Sequence, residues 1–200
     1  DGRVGGSFGR FGAYSFYPTK NLGALGDGGA IVMDDAALAQ RAAVLRNYGQ
    51  SVRYHHPELG LNSRLDELQA ALLLVRLKWL ESFTERRLQI AAAYHAGIAS
   101  SSVQLLAAPS QAHSHVYHLF VVLCEQRDRL AQHLKAQGVE TLVHYPVPVH
   151  FQAPCKDMRC DSHGLAVAER HAAQCLSIPC HPQMSDSNVT HVIDAINAFN

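Results

Sequence analysis

A lysine between two glycine-rich segments is the first candidate for chemistry in this sequence. Lys20 is the sole lysine of the first 77 residues, and it stands between a short aromatic stretch that ends at Pro18 and the segment Gly23–Gly29. Glycines let the backbone approach a ligand closely. An amine that is desolvated in such a pocket can lose its proton and attack a carbonyl group. Ser15, five residues upstream, could donate its hydroxyl to a phosphate.

The spacing of Lys20 alone leaves a second interpretation open, in which it is a surface lysine in a turn. Gly23–Gly29 is not a Walker loop, because no Gly-Lys-Ser/Thr follows it. It also lacks the glycine order of a dinucleotide-binding fingerprint. A phosphate-binding loop of either type is therefore not indicated.

Several segments together resemble one family. Ser15–Gly29 resembles the Schiff-base motif of the pyridoxal-phosphate sugar aminotransferases of the DegT/DnrJ/EryC1/StrS type, which share the aspartate-aminotransferase fold. Gly60–Ala71 resembles the dimer-interface signature of that family, and residues 115–122 and 141–148 resemble its small domain. The last two segments are most similar to the branch that aminates C3 of dTDP-3-keto-6-deoxyhexoses. The resemblance extends over nearly the whole chain.

This resemblance implies roles for individual residues. Lys20 would hold the cofactor, pyridoxal 5'-phosphate, and then act as the general base of a transamination that takes its amine from an amino acid such as glutamate. Ser15 would bind the cofactor phosphate, and Asn62 would reach the phosphate in the neighbouring subunit of a homodimer. His144 and Tyr145 would contact the nucleotide sugar, although ordinary packing in a turn explains their position equally well. A lysine at position 20 argues against the dehydratase branch of the family, which has a histidine there.

The fold implied is α/β, the C-terminal part of the aspartate-aminotransferase (fold type I) architecture. Residues 1–85 would form the C-terminal part of the large cofactor-binding domain and the start of a long interdomain helix, and residues 86–200 a small α/β domain. The family's acidic partner of the pyridine nitrogen and its stacking aromatic ring have no counterpart in this sequence. Two hypotheses therefore remain: a sugar aminotransferase represented by its C-terminal part, and a non-catalytic truncated fragment that serves as a dimerisation or scaffold unit.

Histidines and cysteines invite other chemistry. His113, His115 and His118 are spaced as H-x-H-x2-H, but the sequence offers no further ligand at a suitable spacing, so we expect no metal. The five cysteines are an odd number in a chain too large to need disulfides. We interpret them as reduced thiols in a cytoplasmic protein.

Local patterns predict the elements that must position these residues. Strands are predicted over 13–17, 30–33, 116–124, 139–144 and 176–178, and helices over 36–47, 127–137, 165–175 and 185–199. Ser63 and Asp66 have the form of a capping box that opens one long helix reaching about residue 97. We expect the pair Asp34-Asp35 to cap the first helix and Ser185 to cap the last.

Composition excludes several classes of protein. Of the 200 residues 48% are hydrophobic, which is enough for a packed core and argues against disorder. The formal net charge is zero, so nothing in the charge favours nucleic acid or an anionic membrane as a partner. No apolar run approaches the roughly 20 residues that span a bilayer. The sequence begins at Asp1 rather than methionine, so we expect a processed chain or a piece of a longer one.

Overall fold

The chain folds as two compact units in a computed structural model that describes residues 2–111 and 114–200. The first unit ends at Glu81 and the second begins at Ser82. We call them the N-terminal unit and the C-terminal unit.

The N-terminal unit contains a two-stranded antiparallel ribbon and two helices. Strands β1 (Gly12–Ser15) and β2 (Gly29–Val32) pair so that Ser15 lies opposite Gly29. Helix α1 (Ala36–Leu45) begins after Asp35, whose carboxylate accepts hydrogen bonds from two backbone N–H groups of the first turn, as predicted. Helix α2 (Glu67–Leu77) follows an irregular connection.

Few apolar side chains of the N-terminal unit are buried. Among its described residues only Ala24 and Leu73 are buried hydrophobic side chains, whereas Ile31 and Val32 of β2 are exposed. A two-stranded ribbon is marginally stable in water unless further strands or helices cover it. The N-terminal unit thus has little core of its own.

The C-terminal unit is built on a three-stranded antiparallel sheet in the order β3–β4–β5. Its elements in chain order are α3 (Leu80–Gly97), β3 (Gln104–Leu105), β4 (Phe120–Leu123), α4 (Arg127–Ala136), two 3-10 turns (Val149–Phe151 and Ala153–Cys155), α5 (Ala166–Gln174), β5 (Cys175–Ile178) and α6 (Asp186–Asn197). Ser185 and Asn188 form a capping box at the start of α6, so the predicted cap is confirmed.

The main core of the protein lies in the C-terminal unit. Apolar side chains of the helices α3, α4 and α6 cover β4 and β5 and form one buried cluster that includes Ile90, Tyr94, Val122, Leu130 and Ile196. The ring of Tyr94 packs edge-on against Phe120 at 5.0 Å between centroids, and its hydroxyl donates to the carbonyl of Pro179 at 2.6 Å. The phenol therefore enters the core without losing its hydrogen bond.

The prediction of one long helix that begins with a capping box of Ser63 and Asp66 is wrong in two respects. The helical run is divided, because α2 ends at Leu77 and the N–H groups of Lys78 and Trp79 bond three residues back, at 3.3 and 3.0 Å. Bonds of that spacing form a tighter turn than the α-helix. The capping box is also absent: Asp66 precedes α2 without a side-chain cap bond. The backbone N–H of Ser63 instead donates to the carbonyl of Arg46 at 2.9 Å.

The strand predicted over residues 139–144 does not form. Leu142 makes an isolated antiparallel bridge to Ser177 of β5, and the surrounding backbone is irregular. The strand predicted over 116–124 is shorter, and β3 was not predicted because it has only two residues. Within the described part of the chain, no helix is both long and apolar enough to cross a membrane.

Candidate active site

Lys20 lies in the connection between β1 and β2, which is folded tightly on itself. Its backbone N–H donates to the carbonyl of Tyr17 at 2.9 Å and closes a turn. The Oγ of Ser15 accepts a hydrogen bond from the N–H of Tyr17 at 3.2 Å, so the hydroxyl proton of Ser15 remains available to an acceptor. A Cβ at Gly23 would collide with the carbonyl of Pro18, which explains why this position needs glycine.

The side chain of Lys20 is half-buried, and its ammonium has no hydrogen-bond or ion-pair partner within residues 2–111 and 114–200. A primary amine held at a turn with no competing partner is suited to react with an aldehyde or to accept a proton. The amine of Lys20 is therefore available to a carbonyl group, and Ser15 ends β1 five residues upstream.

Gln69 connects the loop that contains Lys20 to the segment Gly60–Ala71. From the first turn of α2, its Oε1 accepts a hydrogen bond from the backbone N–H of Leu25 at 3.0 Å. A Cβ at Gly26, whose φ is +150°, would lie 2.9 Å from the Nε2 of Gln69. The two motifs, 44 residues apart at this contact, thus form one local structure.

Asn62 is held by its backbone neighbours and by Arg64. The residues on either side of Asn62 bond to the end of α1 and its following turn: the N–H of Leu61 donates to Leu45 at 2.8 Å and that of Ser63 donates to Arg46. The Nε of Arg64 donates to Oδ1 of Asn62 at 3.1 Å. Because an arginine can only donate, the amide oxygen must face Arg64, and the Asn62 NH2 group points away from it.

His144 and Tyr145 lie in the C-terminal unit, at the start of the proline-rich turn. The Nδ1 of His144 is 2.8 Å from the Oγ of Ser177, and the rings of His144 and Tyr145 meet edge-on at 5.4 Å. Tyr145 is 69% exposed and lines an open apolar groove between the turn and α5. An exposed tyrosine beside an anchored histidine can bind a polar ligand that also carries an apolar face.

Arg87 is a buried residue that we did not predict to have a functional role. From α3 its Nη1 donates to the backbone carbonyls of Tyr117 at 3.0 Å, of His118 at 3.1 Å and of Cys180. Burial lowers the pKa of Arg87, yet a guanidinium remains charged throughout the range in which proteins are folded. Arg87 lies four residues after Phe83 and three before Ile90, so it falls in an otherwise apolar stripe of the helix. That position is the sequence signal that could have identified it.

Cysteine chemistry is not favoured in the C-terminal core. All five cysteines are free thiols, as predicted. Burial raises the pKa of Cys180 to about 11, against a smaller opposing effect of Arg87, and burial also raises the pKa values of Cys124 and Cys175. Buried thiols that stay protonated are poor nucleophiles and poor metal ligands.

The histidine-rich segment gives no metal site in what the structure describes. His113 lies outside the described residues, and His115 packs edge-on against Tyr117 at 4.4 Å. Across residues 2–111 and 114–200, no group of three or more His, Cys, Asp or Glu side chains is arranged to hold an ion.

The structure places Ser15 at the end of β1 and Lys20 in the connection that follows it, both in the N-terminal unit. Asn62 lies on a different loop of the same unit, and in the described residues no hydrogen bond, ion pair or ring contact joins it to Lys20 or Ser15. His144 and Tyr145 form a second local group in the C-terminal unit. The five predicted residues therefore make three separate local arrangements.

Comparisons with known proteins identify relatives of this chain. The chain is 45% identical over 186 residues to the erythromycin biosynthesis sensory transduction protein EryC1 of Saccharopolyspora erythraea. The aligned region covers 93% of the chain and 51% of that relative. It is also 45% identical over 187 residues to the dTDP-3-amino-3,4,6-trideoxy-alpha-D-glucose transaminase of Streptomyces venezuelae, over 94% of the chain and 49% of that protein. The chain thus spans about half the length of the curated relatives it matches.

A solved structure gives the same result for the fold. The crystal structure of S. venezuelae DesV in complex with a ketimine intermediate matches with a TM-score of 0.88 and 45% identity, over 98% of this chain and 53% of DesV. The fold is accordingly that of the fold type I aminotransferases of this family, matched over about half their length. The model of the DegT/DnrJ/EryC1/StrS aminotransferase family matches residues 1–197. The chain belongs to the DegT/DnrJ/EryC1/StrS aminotransferase family.

Proposed function

We propose that this chain is the C-terminal part of a pyridoxal-phosphate-dependent aminotransferase that transfers an amino group to a nucleotide-linked keto sugar. The observation that carries the proposal is the half-buried Lys20, which is held by its backbone in a tight loop while its ammonium has no partner in the described part of the chain. Two relatives are named as transaminases of dTDP-3-amino deoxysugars, which supports a sugar transaminase and is consistent with a dTDP-3-keto-6-deoxyhexose as substrate. An amino acid such as glutamate would supply the amine.

The residues of this chain fit the proposed cofactor. When bound, pyridoxal phosphate supplies the electron sink that allows a C–H bond next to the amine to lose its proton. Nζ of Lys20 would hold the cofactor and then take up and return that proton. The Ser15 hydroxyl and the outward NH2 group of Asn62 are donors, as a phosphate requires. Large-domain residues that would complete the pocket have no counterpart in this sequence.

We also propose that the working site is formed in a homodimer, with Asn62 acting on the phosphate bound in the partner subunit. Two observations support this arrangement. Among the described residues no hydrogen bond, ion pair or ring contact joins Asn62 to Lys20 or Ser15, and α2 next to it presents exposed Leu68 and Val75. Under the same proposal, residues 1–85 are the C-terminal part of the cofactor-binding domain and residues 86–200 the small domain, in a cytoplasmic enzyme.

Replacement of Lys20 tests the proposal. Lys20→Ala should abolish the conversion of pyridoxal phosphate to pyridoxamine phosphate on addition of glutamate, as followed by absorbance. Lys78→Ala is the matched control, because Lys78 is an exposed lysine of the same unit. Conversion by Lys20→Ala at the wild-type rate would show that the assignment is wrong.

One observation favours the alternative, a non-catalytic truncated fragment. In the described residues of the N-terminal unit only Ala24 and Leu73 are buried apolar side chains, so this unit depends on further polypeptide to cover β1 and β2. A chain that binds a partner but shows no reaction of Lys20 with the cofactor would support the alternative.

A further inference from the structure

Ser177 is a buried polar residue of the C-terminal unit. It lies in the middle of β5 and is 6% exposed. In the described part of the chain, only Ser177 and Arg87 are buried among the polar and charged side chains. Buried polar groups are almost always hydrogen-bonded, because an unpaired one costs free energy. The partners of Ser177 therefore show what it holds in place.

The backbone of Ser177 fixes the segment that carries His144. Its N–H donates to the carbonyl of Leu142 at 2.7 Å, and its carbonyl accepts the N–H of Leu142 at 3.1 Å. Both backbone groups of Ser177 are thereby used, which leaves its hydroxyl for another partner. That partner is Nδ1 of His144, at 2.8 Å.

The direction of this hydrogen bond follows from the surroundings of the hydroxyl. Within the described residues, Nδ1 of His144 is the sole hydrogen-bond partner of Ser177 Oγ. If Nδ1 carried the proton and donated to Oγ, the buried hydroxyl proton would have no acceptor, at a cost of about 1–3 kcal/mol. The hydroxyl therefore donates to Nδ1. A neutral imidazole that accepts at Nδ1 carries its proton on Nε2.

We propose that Ser177 is a positioning residue that holds His144 in the Nε2–H tautomer, with Nε2–H directed to an oxygen acceptor of a ligand. Nε2 of His144 has no hydrogen-bond partner among residues 2–111 and 114–200, so the donor is available. The acceptors it suits are the phosphate, hydroxyl and carbonyl oxygens of a nucleotide sugar. The identity of that ligand rests on the proposed function, whereas the tautomer follows from the contact with Ser177.

Nitrogen NMR of the histidine side chains tests the proposal without cofactor or substrate. Long-range ¹H–¹⁵N correlation spectra of the 200-residue chain, recorded where the imidazole is neutral, distinguish the two tautomers of His144. We expect Nε2–H in the wild-type chain and a mixture of both tautomers in Ser177→Ala. Ser162→Ala is the matched control, because it removes an exposed hydroxyl 3.4 Å from Nδ1 of His163 and should leave His144 unchanged.

Two results would overturn the proposal. One is an Nδ1–H tautomer for His144 in the wild-type chain, a measurement that does not depend on any variant. The other is a tautomer population in Ser177→Ala equal to that of the wild type. Neither result concerns Lys20, so the proposed aminotransferase function would be unaffected. Conversely, a failure of Lys20 to react with the cofactor would leave the tautomer assignment in place.

Discussion

Nε of Arg64 donates a hydrogen bond of 3.1 Å to Oδ1 of Asn62, and this contact determines which way the amide of Asn62 faces. The guanidinium of Arg64 is itself placed 5.5 Å from the ring centroid of Tyr48. The NH2 group of Asn62 thus points away from Arg64 and can donate its hydrogen bonds to an anion. Arg64 is therefore expected to affect phosphate binding through the orientation of Asn62.

Removal of the Arg64 donor should weaken cofactor binding. In Arg64→Met the Asn62 amide can rotate, and we expect the affinity for pyridoxal phosphate to fall by about tenfold, equivalent to the loss of roughly one hydrogen bond. The measurement is equilibrium titration followed by absorbance. Arg53→Met is the control, since Arg53 lies over the ring of Tyr54 at 4.9 Å and bonds to no asparagine within residues 2–111 and 114–200. Equal losses of affinity in both variants would refute a specific role for Arg64.

Loss of Arg87 should destabilise the C-terminal unit strongly. Arg87→Met leaves the backbone carbonyls of Tyr117, His118 and Cys180 without their donor. We expect the free energy of unfolding in urea to fall by about 3 kcal/mol or more. Arg86→Met, on the same helix, removes an ion pair with the exposed Asp186 and bonds to the carbonyl of Met184 and to the side chain of Gln89, and should cost about 1 kcal/mol. A smaller loss in Arg87→Met than in Arg86→Met would contradict this account.

The thiol of Cys180 should make stability fall in alkaline solution. Burial raises its pKa from 9.0 to about 11, so between these values the unfolded chain releases this proton while the native chain keeps it. The native state then binds more protons, and its stability falls as the pH rises. From about pH 8 to about pH 10.5 this group should lower the free energy of unfolding by about 2 kcal/mol.

Urea unfolding of wild type and Cys180→Ala at these two pH values measures that contribution. Other groups lose protons in both proteins, so the informative quantity is the difference between their pH dependences. We expect the decrease to be smaller in Cys180→Ala. Parallel decreases in the two proteins would show that Cys180 does not ionise differently on unfolding.

The exposed face of α2 should take part in the proposed dimer. Leu68 and Val75 are seven residues apart on this helix, share one face, and are 73% and 55% exposed. A charge buried there on association would be costly. Leu68→Asp should therefore shift the sedimentation of the protein from dimer to monomer, whereas Val167→Asp, at a 73% exposed position of α5, should not. A wild-type protein that sediments as a monomer would contradict the dimer proposal.

Local patterns predicted most elements because the signals lie within a few residues. Asp35 and Ser185 stand directly before α1 and α6 and accept backbone N–H groups, as side chains of these types do at helix starts. The break at Lys78 and Trp79 has no such signal, since neither glycine nor proline marks it. Val139–His144 has the composition of a strand, but only Leu142 finds a partner in β5.

Only a motif that is continuous in sequence could place candidate site residues near one another in advance. Ser15 ends β1 and Lys20 follows five residues later, so their nearness could be read from the sequence, while their joint role stays a prediction. The contacts of Arg87 with Cys180, and of Ser177 with His144, join residues 93 and 33 positions apart, and these depend on how the strands and helices pack. No local pattern encodes such contacts, which is why both buried residues were absent from the sequence prediction.

Lys20 is the centre of this account, and its reaction with pyridoxal phosphate is the most direct test. The protein is incubated with the cofactor, the product is reduced with borohydride, and the modified lysine is mapped by mass spectrometry. The chain contains three other lysines, Lys78, Lys135 and Lys156, which serve as internal controls. We expect modification concentrated on Lys20. Modification spread over the other three lysines, with Lys20 unmodified, would contradict it.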